Sequence, residues 1–518
     1  MRIINIRIVF YLFLLLFISG CSKNISNEIA TEAKTQSTSV SNNVIQAKLG
    51  ESRNLSPNFM CHNVNSTQVA DWSDPSFTSA VNDLHPGILR IPGGDVGNYW
   101  NWQRGGLIEN TDSLSTGLPF FLRFKARQYT AGKLTDFKAG LDSTNTEAIF
   151  VLNMLTSNLE SQLQMLEAAE DLGIEIKYVE LGNEFYFNIP NYKTKFPNPR
   201  TYGLMAQTWT EEIKRKFPNV QISIVGVVPT PNKPARLQNW NKVMRGTGLK
   251  TADAITLHIY NDHGLDSKPD QTNRYPDFDD DEVSIILGEP FRNWQQLLSD
   301  RNYQAIPNNK QIWITEYNLF EDIFQNGNEQ PMPRVAGSWT HGLSNLATSL
   351  LFLEESRIES ICNHSLTEGS IFGAILNTSD SFVNPADENM QAIPMSLSAT
   401  GAALSLLGQA TAGMTAAAPI ELTSVAQLQG KDNFNYPAIY GWQFSNNVEK
   451  KAIAVNLSDQ ERTVDFSTLF YSPRYQQLSG LPRDLVNSPE VLTKTNGQAT
   501  NETNLIILPA YSVTQISQ

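Results

Sequence analysis

Between about residue 56 and residue 410 the chain repeats one pattern eight times, a short apolar run followed by a stretch of helical periodicity. The runs are "NFMCHNV" near 58, "GILRIPG" at 87, "EAIFVLNM" at 147, "IKYVELGNE" at 176, "QISIVGVV" at 221, "DAITLHIY" at 253, "QIWITEY" at 311 and "IESICNHS" at 358. Runs of this length, apolar on both faces, read as strands buried on both sides, and such strands alternating with helices imply parallel βα units. The stretch "NLESQLQMLEAAEDLG" shows the helical partner, with Leu159, Leu163, Leu166 and Ala169 at helical spacing. Eight such units predict an α/β fold, a (β/α)8 TIM barrel with long loops. A doubly wound sheet is the alternative, and the absence of GxGxxG after the first strand weakens it.

"PMSLSATGAALSLLGQATAG" at 394–413 supplies the last barrel helix, after which the texture changes. From 415 to 518 short alternating runs such as "AIYGWQFS", "KAIAVNLS" and "NLIILPAYSVTQIS" predict an antiparallel β-sandwich, with a further strand from residues 44–50. The expected organisation is a leader over 1–20, a polar tether over 21–48, a barrel over 49–414 and the sandwich over 415–518. Arg2 and Arg7 precede the apolar run "IVFYLFLLLFI", and "ISGC" ends at Cys21. That run is short for a membrane span. It resembles a bacterial lipoprotein signal, which implies cleavage before Cys21 and lipid attachment there, hence a membrane-tethered protein of the cell envelope, at the outer membrane or cell surface. A plain secretory signal or a membrane anchor is the alternative. The following Ser-, Thr- and Asn-rich stretch has too few apolar residues to order itself. Of three cysteines, Cys61 and Cys362 then remain, and either they pair or both sit reduced in the core. The formal net charge of -13 excludes nothing about sugars but offers no basic field for nucleic acid.

Two of the strands end in carboxylates. Glu184 closes the fourth, in "YVELGNEFYF", and Glu316 the seventh, in "QIWITEYNLF". Active sites of (β/α)8 barrels gather at the carboxyl ends of the strands, so acids three βα units apart face each other across one cleft. Two carboxyl groups about 5–5.5 Å apart suit retaining cleavage of a glycosidic bond, and about 6.5–9.5 Å suits inversion. The sequence supplies the groups and leaves their separation open.

"LGNE" on a fourth strand and "WITEYN" on a seventh resemble the acid/base and nucleophile signatures of retaining glycoside hydrolases of clan A. "LRIPGG" at 89–94 and "LHIY" at 257–260 resemble second- and sixth-strand motifs of that clan's arabinofuranosidase, xylosidase and heparanase-like glucuronidase branches. The resemblance spans residues 50–518 and implies Glu184 as acid/base and Glu316 as nucleophile, without a cofactor or metal. It implies that Asn183 contacts the sugar 2-hydroxyl and that Arg90 points into the site. His258 and Tyr260 are placed near the glutamates, with Tyr260 or Tyr317 bonded to Glu316. His258 is otherwise a core histidine, and Arg90 a partner for a carboxylate beneath the site.

In "GGDVGNYWNW", Trp100 and Trp102 are candidate platforms for stacking on sugars, or else loop packing. The basic "RFKARQY" at 123–129 is a candidate for recognising an anionic glycan, or else a solvated face, and the acidic "NRYPDFDDDEVSI" opposes that reading. No HxH or HExxH spacing supports a metal-dependent hydrolase, and no GxSxG a serine esterase. A noncatalytic glycan-binding lipoprotein on the same barrel is the rival from another class. The substrate partner is expected to be a poly- or oligosaccharide of unspecified charge.

Overall fold

The computed structural model describes residues 44–67, 69–108, 132–228, 235–266, 276–321, 334–367, 373–376, 393–499 and 504–518. Cys21, the leader, most of the tether and the basic run at 123–129 lie outside the described residues.

All eight apolar runs are strands: β1 (Met60–Asn63), β2 (Ile88–Ile91), β3 (Glu147–Val151), β4 (Tyr178–Leu181), β5 (Gln221–Val225), β6 (Ala254–Asp262), β7 (Gln311–Phe320) and β8 (Ile358–Asn363). They close in chain order into a barrel, every neighbouring pair parallel. Several of the helices begin at side-chain caps that satisfy otherwise orphaned N–H groups. Asn158, Asn198, Ser338 and Ser398 each accept from the third residue on. Asp279 and Glu282 form a reciprocal capping box. The helix read from "NLESQLQMLEAAEDLG" spans Leu159–Asp171 and buries Leu163, Leu166 and Ala169.

The barrel closes where β8 meets β1. Cys362 stands opposite Cys61 in that register, and the two form a disulfide. Sequence alone left this pairing open, because it depends on the first and last strands becoming neighbours. Both sulfurs sit in a small interior layer with Ile88, Ile149, Ala254 and Trp313. Two residues further along, Asn63, Arg90, Thr256 and Thr315 are polar, Val151 being the exception, so the interior changes from an apolar floor to a largely hydrogen-bonded upper storey.

The C-terminal region is a curled sheet of ten strands with the core Ile45, Ala47, Ile420, Ile439, Val464, Phe466, Ile506 and Ile516. Ile45–Leu49 and Arg53–Asn54 precede the barrel in sequence yet belong to this sheet, pairing antiparallel with Ala416–Leu422. Ile45–Leu49 also pairs in parallel with Arg462–Asp465, a departure from the otherwise antiparallel ladder. Ile439–Ser445 and Lys450–Asn456 bury both faces: Ile439, Ala452 and Ala454 enter the sandwich core, while Trp442, Phe444, Ile453 and Val455 join the core of the barrel.

The disulfide closes a loop with a sequence separation of 301 across the barrel seam. Cys61→Ala/Cys362→Ala is expected to lose about 2–5 kcal/mol of stability. Guanidinium unfolding measures it, and an unchanged midpoint would mean that strand pairing alone holds the seam.

Candidate active site

Two different backbone devices deliver the two carboxylates. At the end of β4 the chain turns sharply through Gly182 (φ +84) and Glu184 (φ 49). A Cβ at Gly182 would lie 2.1 Å from the Phe185 ring, so only glycine fits there. Glu184 holds a left-handed conformation that a non-glycine residue seldom adopts, and the N–H of Phe187 donates to its carbonyl.

On β7 the device is a bulge. Ile314 pairs with Ile361 of β8 and Tyr317 with Asn363, so β7 carries one extra residue between these partners. Thr315 and Glu316 both turn inward, whereas simple alternation would have pointed Tyr317 into the barrel. Tyr317 instead points outward. Its hydroxyl meets Ser349 Oγ at 2.8 Å and its ring packs on Phe352. The choice between Tyr260 and Tyr317 is thereby decided: Tyr260 donates to Glu316 Oε2 at 2.7 Å.

Arg90, fully buried, organises the floor of the site. Its Nε and Nη2 bind Glu180 at 2.7 and 3.0 Å, Nη2 also reaches Asn183 Oδ1 at 2.7 Å, and Nη1 binds Glu316 Oε1 at 2.7 Å and Asn63 Oδ1 at 3.1 Å. All five guanidinium hydrogens are used. Both readings of Arg90 are therefore met at once, a carboxylate beneath it and one in the site.

His258 stands between the acids, with Nδ1 2.7 Å from Glu184 Oε1 and 3.5 Å from Glu316 Oε2, and Nε2 3.1 Å from Thr315 Oγ1. Burial pushes its pKa down, but the carboxylates of Glu316 and Glu184 outweigh that and hold it above the ordinary range. Glu316 feels the opposite balance. Burial pushes it up, yet His258, His364, Arg90 and the Tyr260 hydroxyl together hold it well below the usual carboxylate range.

Asn183 is buried, with Oδ1 on Arg90 and Nδ2 donating to Asp95 Oδ1 at 3.0 Å. One hydrogen of Nδ2 remains beyond these bonds. Trp100 is only 1% exposed; it donates to the Gly132 carbonyl and packs on Phe137, so its ring belongs to the core and offers no face to a sugar. Trp102 is half-buried and tied to Ser161 Oγ at 3.2 Å. Among the described residues an exposed aromatic ring close to the acids in sequence is Phe187, 38% exposed and three residues after Glu184.

Sequence reasoning missed Asp95, Glu180, Tyr186, Asn63 and His364, although each lies within or beside a quoted motif. Asp95, in the helix Gly94–Tyr99, accepts from Asn183 and from Tyr192 (2.8 Å). Burial and the nearby charge of Glu184 push its carboxyl up to about 7. His364 Nδ1 lies 3.6 Å from Glu316 Oε2.

Oxygens of Glu184 and Glu316 and a nitrogen of His258 lie within 4.8 Å of one another. Such a set has the spacing of metal ligands. However, Glu184 Oε1 and His258 Nδ1 already engage each other, and the Arg90 cation lies against Glu316. The donors thus fit a hydrogen-bonded acid pair better than a cation site.

No protein-family profile and no curated protein sequence matches the chain. Solved structures do. A family 51 α-L-arabinofuranosidase from Bifidobacterium longum aligns with TM-score 0.67 at 17% identity, covering 91% of this chain and 99% of that one. The α-L-arabinofuranosidase of Thermotoga petrophila aligns at 0.61 and 14%, covering 92% and 99%. A 4-O-α-L-rhamnosyl-β-D-glucuronidase from Fusarium oxysporum aligns at 0.59 and 13%, covering 92% and 100%. The shared fold is the barrel with a β-rich C-terminal domain that the eight βα units and the alternating runs after residue 415 predict.

Tyr260→Phe removes a donor that favours ionised Glu316, so the carboxyl of Glu316 should titrate at higher pH, by about one to two units. Carbon NMR of glutamate-labelled protein, with Glu316→Gln assigning the signal, reads the shift. A titration unmoved by the substitution would remove Tyr260 from this role.

Proposed function

We propose that the protein is a retaining glycoside hydrolase acting on an oligo- or polysaccharide. The observation that carries this reading is the acid pair itself, with carboxylate oxygens within 4.8 Å and unlike surroundings. So close an approach of the nearest oxygens favours a nucleophile that reaches the anomeric carbon directly over the wider separation of an inverting enzyme. Glu316, held ionised by Arg90 and Tyr260, attacks the anomeric carbon. Glu184 gives its proton to the departing oxygen, and the covalent glycosyl ester on Glu316 forms as the glycosidic bond breaks. Glu184, now a carboxylate, takes a proton from water, which attacks the same carbon and frees Glu316. Net retention follows from two displacements.

The similar solved structures favour α-L-arabinofuranosides as the first sugars to try, alongside glucuronides, and the resemblance of the sequence motifs adds xylosides. Phe187, exposed and three residues after the proposed acid/base Glu184, is the candidate aromatic platform for the aglycone. Cleavage before Cys21 and lipid attachment there would tether the enzyme to the cell envelope. The buried disulfide supports a site of action outside the cytoplasm, since such bonds form in oxidising compartments.

Residues 22–518 should release reducing sugar from a panel of plant, algal and host glycans. Glu316→Ala should abolish release, and Glu184→Ala should slow it by about 10²–10⁴-fold. Proton NMR of the first-formed product should show the substrate's anomeric configuration. An inverted product, or full activity in Glu316→Ala, would overturn the proposal, while binding without cleavage would support the glycan-binding reading.

A further inference from the structure

Glu184 presents two unequal oxygens. Oε1 lies 2.7 Å from His258 Nδ1 and accepts the Tyr186 hydroxyl at 2.8 Å. Oε2 has no hydrogen-bond partner among the described residues. Tyr186 is buried, its ring held against Phe187 and edge-on to Trp240, with centroids 4.7 and 6.2 Å away. It sits two residues after Glu184 on the turn closed by the Phe187 N–H, so phenol and carboxyl are carried by one short segment.

We propose that Tyr186 is a positioning residue for proton transfer: together with His258 it occupies Glu184 Oε1, and so assigns the transferable proton to Oε2, the oxygen left free for the departing group. This rests on the glycosidase reading and deepens it. In a neutral carboxyl the carbonyl oxygen is the better acceptor and the hydroxyl oxygen the donor. Two donors directed at Oε1 therefore select the form protonated on Oε2. Tyr186 acts as a donor because burial, followed by the charge of Glu184, raises its phenol well above the ordinary range. His258 carries a hydrogen on Nδ1 because that nitrogen faces carboxylate oxygens of both Glu184 and Glu316.

The assignment balances through the cycle. The Oε2 proton passes to the leaving oxygen as the glycosidic bond breaks, and the electron pair of that bond goes with the oxygen. The carboxylate left behind keeps both donors on Oε1. In the second step Oε2 takes a proton from the attacking water, restoring the starting form. Tyr186 itself neither loses nor gains a proton.

The test is Tyr186→Phe, which keeps the ring packing and removes the hydroxyl. Aryl glycosides of the sugar that the wild type releases are compared across leaving groups from dinitrophenol to phenol. A good leaving group departs without an acid, so the variant should hydrolyse dinitrophenyl glycosides at near wild-type kcat/KM and phenyl glycosides about 10- to 100-fold more slowly. In a Glu184→Ala background the second substitution should add nothing, because the group it acts through is gone. Equal slowing across all leaving groups, or an additive loss in that background, would overturn the proposal.

A neutron structure taken at acidic pD reads the proton without any substrate. Deuterium on Oε2, with those of Tyr186 and His258 directed at Oε1, supports the assignment; deuterium on Oε1 overturns it. Failure of the glycosidase reading looks different, since turnover would then survive Glu316→Ala or be missing for every glycoside while the neutron result still decides the oxygen.

Discussion

One guanidinium holds the interior of this barrel together. Arg90 is buried with no solvent to share its charge, and its five hydrogens reach β1 through Asn63, β4 through Glu180, Asn183 just beyond it, and β7 through Glu316. Burying one cation and two carboxylates is expensive unless geometry and hydrogen bonding are both nearly complete. Here they are complete on the cationic side, which is why a planar fork and not a lysine occupies the position. A lysine would satisfy three acceptors at most and leave a buried carboxylate short of partners. The stability of the upper storey and the ionisation of Glu316 are thus set by the same bonds.

Charge in the cleft is arranged so that the proposed reaction moves it only a short way. At the start the negative charge lies on Glu316; in the covalent intermediate it lies on Glu184. His258 keeps its Nδ1 hydrogen on Glu184 Oε1 at 2.7 Å and lies 3.5 Å from Glu316 Oε2, so the same polar ring stands beside the charge in either place. A fixed dipole or cation that stabilises charge in both places needs little reorganisation as the charge shifts. Asp95 adds a third carboxyl to this set, and burial first, then the nearby charge of Glu184, raises its pKa.

Much of this was legible before any coordinates. Eight buried strands leave a continuous apolar signature, and Glu184 and Glu316 stand at two strand ends, so the barrel and its acid pair follow from pattern and position. What stayed hidden depended on register. The bulge beside Thr315 changes which of Glu316 and Tyr317 faces inward, and period-two alternation carries no mark of an inserted residue. The Cys61–Cys362 bond required knowing that β8 closes on β1. Trp100 follows the short helix Gly94–Tyr99 and its ring enters the core, while Asp95, earlier in the same helix, is the residue of that motif that reaches the site. Glycines and aromatic rings in that motif drew the reading away from its one carboxylate.

The C-terminal domain belongs to the same physical argument as the barrel. Helix Trp339–Phe352 is buried along its whole length and Ala399–Thr411 nearly so, a pattern that a surface helix of a free barrel could not sustain. The strands Ile439–Ser445 and Lys450–Asn456 cover them with Trp442, Phe444, Ile453 and Val455, and Trp339 Nε1 bonds the Tyr511 carbonyl at 2.6 Å. Those helices in turn back β7. Ser349 meets Tyr317, while His341 and Asn345 hold Asn318, whose amide donates to the carbonyl of His364. His364 faces Glu316. A continuous run of packed and hydrogen-bonded groups therefore joins the sheet to the strand that carries the proposed nucleophile. The two parts that the sequence separates by texture meet in the barrel's core through one face of the sheet, and the position of Glu316 depends on both.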